Sequence, residues 1–543
     1  MPDKNATTSS EPPSALNATA GQNGQALSPP WYYNLVIKLL KPLYRIALWR
    51  RHNKATKTGL PVADYKSEID ARYGRRYPLP PRLATATEVS ERTSAFYNTL
   101  IWCHAVSLGE TNTIAPMLKQ MLKQGARLWI TNTTQTGFAR TEALFAEAIA
   151  AGQVVHTFVP VDDKAVIQKF VDNAKPDLAM FVETELWANI LAVLKQSNIP
   201  SVLVNARLSQ KSYDNYAKHA AVSKGMVHNL TMIIAQDADS AKRFRYLGTD
   251  VVKIRRANSL KWSTGSMQPK PLDQLRSEFA ANTQALQRPI WVAGSTHDGE
   301  ETAVLNAHKQ LLTQPHMANA LLILVPRHPE RFDAVAELIE QTGLNYRRRS
   351  EQQLIDADTQ VYLADTMGEL GDCYELSDVA LVGGSLVNIG GHNPIEAASL
   401  AKPIIMGPYT QSCHELVSEL SAAGALVVVD AAEGHAQKRS NKQSATKGSD
   451  GGQAPAPQST LLQAVLQWLA YPEQAQRAGQ LGAQLVAKKS DAMQKQLAML
   501  ESLLIKKQIA LSAKPDPKQE PLDLDYFKVR TRSDGSDMDS GEL

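Results

Sequence analysis

The chain is 543 residues long, 43% hydrophobic and 21% charged, with a formal net charge of +4. So small an excess does not imply nucleic acid as a partner, and three cysteines (Cys103, Cys373, Cys413) at these spacings make neither a disulfide framework nor a metal motif, which suits a reducing compartment. At about 150 residues per domain the length allows roughly three to four units, and polar low-complexity ends reduce that to two.

Residues 1–30 carry no apolar run and read as a disordered tail without a signal peptide. Residues 31–58 read as a basic amphipathic helix. From Trp31 to Val62 there is no acid, against Lys38, Lys41, Arg45, Arg50, Arg51, Lys54 and Lys57. Asn34, Lys38, Lys41 and Arg45 recur at helical spacing as a polar stripe. Leu35, Val36, Leu39, Leu40, Leu43, Ile46 and Ala47 cover the remaining face, and Trp31, Tyr32, Tyr33, Tyr44 and Trp49 supply interfacial aromatics. This is the pattern of a helix lying in a membrane surface, drawn to anionic lipid. Three charges within about 20 residues disfavour a span. The competing reading is a helix docked on its own protein.

Short β-rich runs then alternate with helical stretches. Candidate strands fall at 98–106, 127–132, 154–160, 177–183, 200–205, 231–236 and 250–256, then at 288–294, 320–326, 360–364, 378–383, 402–406 and 424–430. Such alternation implies parallel sheets with right-handed crossovers. A break near 262–287 divides the run into an N-terminal unit over 59–270 and a C-terminal unit over 271–510. Residues 433–459 read as a flexible insertion and 511–543 as a second disordered tail. Two such α/β units facing each other would form a cleft suited to a small molecule.

Polar motifs gather where these strands should end. The first half carries "HAVSLGE" (104–110), "ETELW" (183–187), "NARLS" (205–209) and "NSLKW" (258–262). The second carries "GSTH" (294–297), "PRHP" (326–329), "DTMGEL" (365–370) and "GGSLVNIGGHNPIEAA" (383–398). Ser107 and Glu110 fit a capping box, which explains Glu110 as structure alone; a carboxylate aimed into the cleft as a base is the alternative. Asn393, Pro394 and Glu396 likewise suit a helix start. At the carboxyl end of a parallel strand, however, Glu396 would accept hydrogen bonds from a vicinal diol such as a ribose, leaving phosphate to free N–H groups.

Together these motifs closely resemble the Kdo transferases (3-deoxy-D-manno-octulosonic acid transferases) of Gram-negative bacteria, from about residue 31 to 505. The resemblance implies a GT-B glycosyltransferase with two Rossmann-like domains on the cytoplasmic face of the inner membrane. Its partners would be a CMP-Kdo donor and the lipid A precursor lipid IVA as acceptor, with no metal or other cofactor. By motif, Glu110 matches the general base, and Glu183 and Lys261 match transition-state stabilisers. Pro326, Arg327, Met367, Gly368, Glu369 and the run Asn393, Pro394, Ile395, Glu396 match CMP-binding segments. Asn258 stands where the family usually has glycine, which a left-handed backbone would tolerate. The rival enzyme reading is a GT-B glycosyltransferase or epimerase using a UDP-sugar. An oxidoreductase is disfavoured, because no strand runs into G-x-G-x-x-G with an acid about 20 residues later.

Overall fold

The computed structural model describes residues 24–57, 63–83, 94–263, 265, 267–431 and 460–512. The expected tails, apart from 24–30 and the helical residues 511 and 512, and the 433–459 insertion lie outside the described residues, as do the side chains of Lys54 and Lys57.

Two seven-stranded sheets organise the chain, and every pairing within them is parallel. The first contains β1 (Leu100–His104), β2 (Arg127–Asn132), β3 (Val154–Phe158), β4 (Leu178–Val182), β5 (Ser201–Ala206), β6 (Met232–Ala235) and β7 (Ile254–Arg256). Its order is β3-β2-β1-β4-β5-β6-β7. The second contains β8 (Ile290–Thr296), β9 (Leu321–Pro326), β10 (Tyr346–Arg348), β11 (Val361–Leu363), β12 (Val379–Val382), β13 (Ile404–Met406) and β14 (Leu426–Val428), in the order β10-β11-β9-β8-β12-β13-β14. These are two Rossmann-like domains, the GT-B architecture. The inner strands read as unbroken apolar runs because helices cover both faces of each sheet. Trp102 and Trp129 are fully buried, and each places its indole N–H on a threonine of the next strand, Thr131 and Thr157, at 3.0 Å.

Strand β10 has no counterpart among the strands expected from sequence. It is a three-residue edge strand, half-buried, whose Arg347 and Arg348 pair with Asp356 and Asp365. Edge strands with charged side chains carry no apolar signature. Asn258 does not take a left-handed backbone, whereas Glu183, Asn205 and Ser295 do, with φ of 60°, 49° and 57°. All three sit at or beside the carboxyl ends of β4, β5 and β8.

The N-terminal helix Trp31–Lys57 docks on its own protein, the competing reading of its sequence. It docks with its polar groups inward: Tyr33 donates to Asp162 at 2.6 Å, Asn34 accepts from Asn189 at 2.9 Å, and Lys41 pairs with Asp163 at 3.0 Å. Its apolar face stays outside, with Leu39 63% and Leu43 60% exposed. Lys38 and Arg45, expected on the same stripe as Asn34 and Lys41, are exposed instead. No helix among the described residues is long and apolar enough to cross a membrane.

The last helix, Ala492–Ser512, returns to the first domain rather than completing the second, contrary to a C-terminal unit running unbroken to residue 510. Leu497, Leu500 and Leu504 enter the core beside Ile101, Leu128 and Met180, and Lys507 reaches the carbonyl of Asp177. Truncating the fully buried Leu500 to Ala should cost about 3 kcal/mol. Urea unfolding followed by the buried Trp102 and Trp129 of the first sheet should report that loss.

Candidate active site

In both sheets the strand order reverses beside one central strand, and the crevice at such a switch point, outside the carboxyl ends of the strands, is where ligands bind in open α/β sheets. The first reversal lies between β1 and β4, and the second between β8 and β12. "HAVSLGE" leaves β1, "ETELW" leaves β4, "GSTH" closes β8 and the glycine-rich run leaves β12. The motifs therefore sit at the two switch points.

A cavity of about 720 Å³ lies between them, lined by Glu110 and Glu183 from the first domain, Lys261 from the crossing segment, and His392 and Asn393 from the second. Glu110 belongs to the helix Leu108–Lys123, whose start it caps. One carboxylate oxygen accepts from the Val106 N–H at 2.8 Å, and the other from the Ser107 hydroxyl at 3.2 Å. The cap and the cavity thus use one side chain, held in place by bonds it also needs for the helix. Burial pushes its carboxyl up to about 7, helped by the nearby Glu183 and Glu185 and opposed by the Val106 N–H. Lys261 rides on the short helical turn Leu260–Ser263, which is fixed where the Leu260 N–H meets the Asn205 side-chain oxygen at 2.9 Å. That bond gives "NARLS" a positioning task.

The glycine-rich run departs from the sequence reading. Its helix begins at Ile395, one residue later than expected, with the Asn393 side chain accepting the Ile395 N–H at 3.2 Å. Glu396 makes no bond back to the cap. Burial pushes it up to about 7 against the pull of Arg327, and it lies against Gly265 of the crossing segment. Nor are the turn's N–H groups open to phosphate. Those of Gly384, Ser385 and Leu386 are taken by the fully buried carboxylate of Glu300 at 2.7–2.9 Å, which also accepts from the His297 N–H at 2.9 Å. Those of Gly390, Gly391 and His392 go to carbonyls of Gly383 and Gly384. The glycines serve close approach instead: a Cβ on Gly383 would stand 2.4 Å from the Ser295 carbonyl oxygen.

The remaining candidates spread along the same carboxyl edge rather than into this cavity. Pro326 ends β9, with Arg327 exposed beside it. Met367 is 62% exposed, and Gly368 turns with φ 93°. Glu369 is bound by both ends of the Arg349 guanidinium, which holds its carboxyl below the usual range. Pro394 is buried, and Ile395 is a core residue whose side chain faces the hydrophobic cluster. Three histidines that sequence reasoning left unassigned meet here: His297, His328 and His392, each inside a quoted motif. No group of three His, Cys, Asp or Glu side chains among the described residues is placed to hold a metal ion.

A family model described as 3-deoxy-D-manno-octulosonic-acid transferase (kdotransferase) matches residues 71–264. A 3-deoxy-D-manno-octulosonic acid transferase of Haemophilus influenzae is 39% identical over 320 residues, covering 58% of this chain and 72% of that protein. Another, of Bordetella pertussis, is 32% identical over 404 residues, covering 72% and 86%. The chain belongs to the Kdo transferase family. Its chemistry is therefore glycosyl transfer, moving Kdo in lipopolysaccharide synthesis. Among solved structures, this Kdo transferase is similar to the C-terminal CMP-Kdo binding domain of WaaA from Acinetobacter baumannii, with 32% identity, 39% of this chain and 95% of that one covered, and a TM-score of 0.30. MurG of the same organism is 10% identical, with 74% and 99% covered and a TM-score of 0.46.

The keystone of the glycine-rich loop is Glu300. Replacing it with Ala would orphan four N–H groups and should lower stability by about 3 kcal/mol or more. Replacing the exposed Glu330 with Ala should change stability by less than about 0.5 kcal/mol. Paired urea titrations check both.

Proposed function

We propose that this enzyme transfers Kdo from CMP-Kdo to lipid IVA with inversion, releasing CMP, at the cytoplasmic face of the inner membrane. The observation that carries the reading is the single cavity that gathers Glu110, Glu183, Lys261 and Asn393 between two switch points. A hydroxyl of the acceptor sugar attacks the anomeric carbon of Kdo, and Glu110 takes its proton. The bond from that carbon to the phosphate oxygen breaks on the opposite face, and its electron pair leaves with CMP. Positive charge that builds on the sugar as the bond loosens is offset by Glu183, while Lys261 and Arg327 offset the negative charge gathering on the phosphate. Asn393 and Glu396, with the backbone of Pro394 and Ile395, hold the nucleoside, Glu396 on the ribose. Pro326, Arg327, Met367, Gly368 and Glu369 line its further edge, with Glu369 acting through Arg349.

The docking of the N-terminal helix supports a membrane setting for this chemistry. A helix held by its polar side, with Leu39, Leu43, Ile46 and Trp49 exposed and Lys38 and Arg45 beside them, matches an interfacial anchor on anionic lipid.

Three outcomes test the reading. Incubation with CMP-Kdo and lipid IVA should give a Kdo-bearing lipid by mass analysis, and turnover of UDP-sugars alone would end the proposal. Glu110→Gln should lower turnover about a thousandfold while CMP-Kdo still binds. A base works only when ionised, so kcat/KM should fall about tenfold per pH unit below pH 7 and level off above it, following the carboxyl at about 7. A profile flat down to pH 5 would remove Glu110 from that role.

A further inference from the structure

The three histidines at the second switch point form a cluster. His297 and His392 stack with ring centroids 5.0 Å apart and planes 12° from parallel, and their Nε2 atoms meet at 2.7 Å. His328 meets the edge of His297 at 5.0 Å. An Nε2-to-Nε2 bond needs one donor and one acceptor. The pair therefore accommodates one added proton, after which both Nδ1 atoms are donors, and rejects a second. Neither Nδ1 has a partner among the described residues.

A buried histidine pair is often only packing, but three features set this one apart. His392 lines the cavity that holds Glu110, Glu183 and Lys261. Its ring rests on Gly384, where φ is 69° and a Cβ would stand 3.0 Å from the imidazole, so the turn is shaped to seat it. Its surroundings are cationic. Burial lowers His392 to about 4, and His297, Arg327 and His328 push the same way; His297 is lowered by burial and by His328, Arg327 and Arg331. The nearby acids are otherwise engaged: Glu300 with backbone N–H groups, Glu301 and Asp298 with Arg331, Glu330 with His328, and Glu396 with Arg327 through space. The positive charge of Arg327 beside an imidazole pair with an unpartnered Nδ1–H, and no acid bonded to it among the described residues, is a setting that favours an anion.

We propose that His297 and His392, with Arg327, form the subsite that binds an anionic group of the donor, its phosphate or its sugar carboxylate. This rests on the nucleotide-donor reading above and adds to it the groups that replace the occupied N–H groups of the glycine turn. An arriving anion offsets the surrounding positive charge, lets the pair take its one proton, and turns both rings into donors.

Binding of three probes to the full chain separates the possibilities: cytidine, CMP and CMP-Kdo, measured by calorimetry. The wild type should bind CMP at least about tenfold more tightly than cytidine. In His392→Asn and in His297→Asn that ratio should shrink to about threefold or less, with cytidine affinity unchanged as the mark of an intact fold. If the ratio survives but the extra affinity of CMP-Kdo over CMP is lost, the bound anion is the carboxylate, and the subsite stands. If both preferences survive in both variants, the subsite is overturned. If the folded wild type binds none of the three probes, the nucleotide-donor reading itself fails, and the subsite falls with it.

Discussion

The cleft depends on how the chain crosses between its two sheets. It crosses twice, once through the segment after β7 and once just before the last helix, and the crossings are bonded to each other. The Ser263 hydroxyl donates to the Ser490 carbonyl at 2.7 Å and accepts the Met493 N–H at 3.0 Å. Gln496, on the last helix, reaches the Asn205 N–H at 3.1 Å and the Asn258 carbonyl at 3.2 Å. Lys261 sits within this knot. A single linker would leave the relative placement of Glu110 and Asn393 to a flexible joint. Two linked crossings restrict the domains to a common hinge and keep the lysine on it.

Carboxylates carry much of the local architecture around the cavity. Glu110 closes a helix and lines the cavity. Glu300 fills a ring of backbone donors that would otherwise suit phosphate. Asp162 accepts the Asn189 and Ile190 N–H groups at the start of the helix after "ETELW", and takes the Tyr33 hydroxyl as well. That carboxylate ties the outermost helix to the loop bearing Glu183.

Much of this was legible in the sequence. Parallel strands such as LIWCH and LAMFV announce themselves as apolar runs, and glycine and polar clusters mark where they end. The common position of the motifs at strand ends followed from this, although only some of them line the cavity. The short edge strand Tyr346–Arg348 was not legible, because its stability comes from pairing and ion pairs rather than apolar periodicity. Nor could spacing show that Glu300 would occupy the glycine turn, since the residues it bonds are more than 80 positions away. The histidine cluster shares that obstacle: three loops bring it together, and each histidine alone has an ordinary local reading. The helix Trp31–Lys57 shows the limit of pattern from the other side. Its polar residues were visible, but which of them face protein is decided by partners such as Asp163 and Asn189.

The return of the final helix has a consequence for synthesis. The first domain leaves the ribosome well ahead of the second, as N-terminal domains do. Its hydrophobic core still lacks Leu497, Leu500 and Leu504 at that stage. Those side chains emerge only after the strands of the second domain have been translated, so an apolar groove on the first domain stays uncovered until then. Closure of the first domain's core thus waits on the second domain, and the two halves mature together rather than in turn.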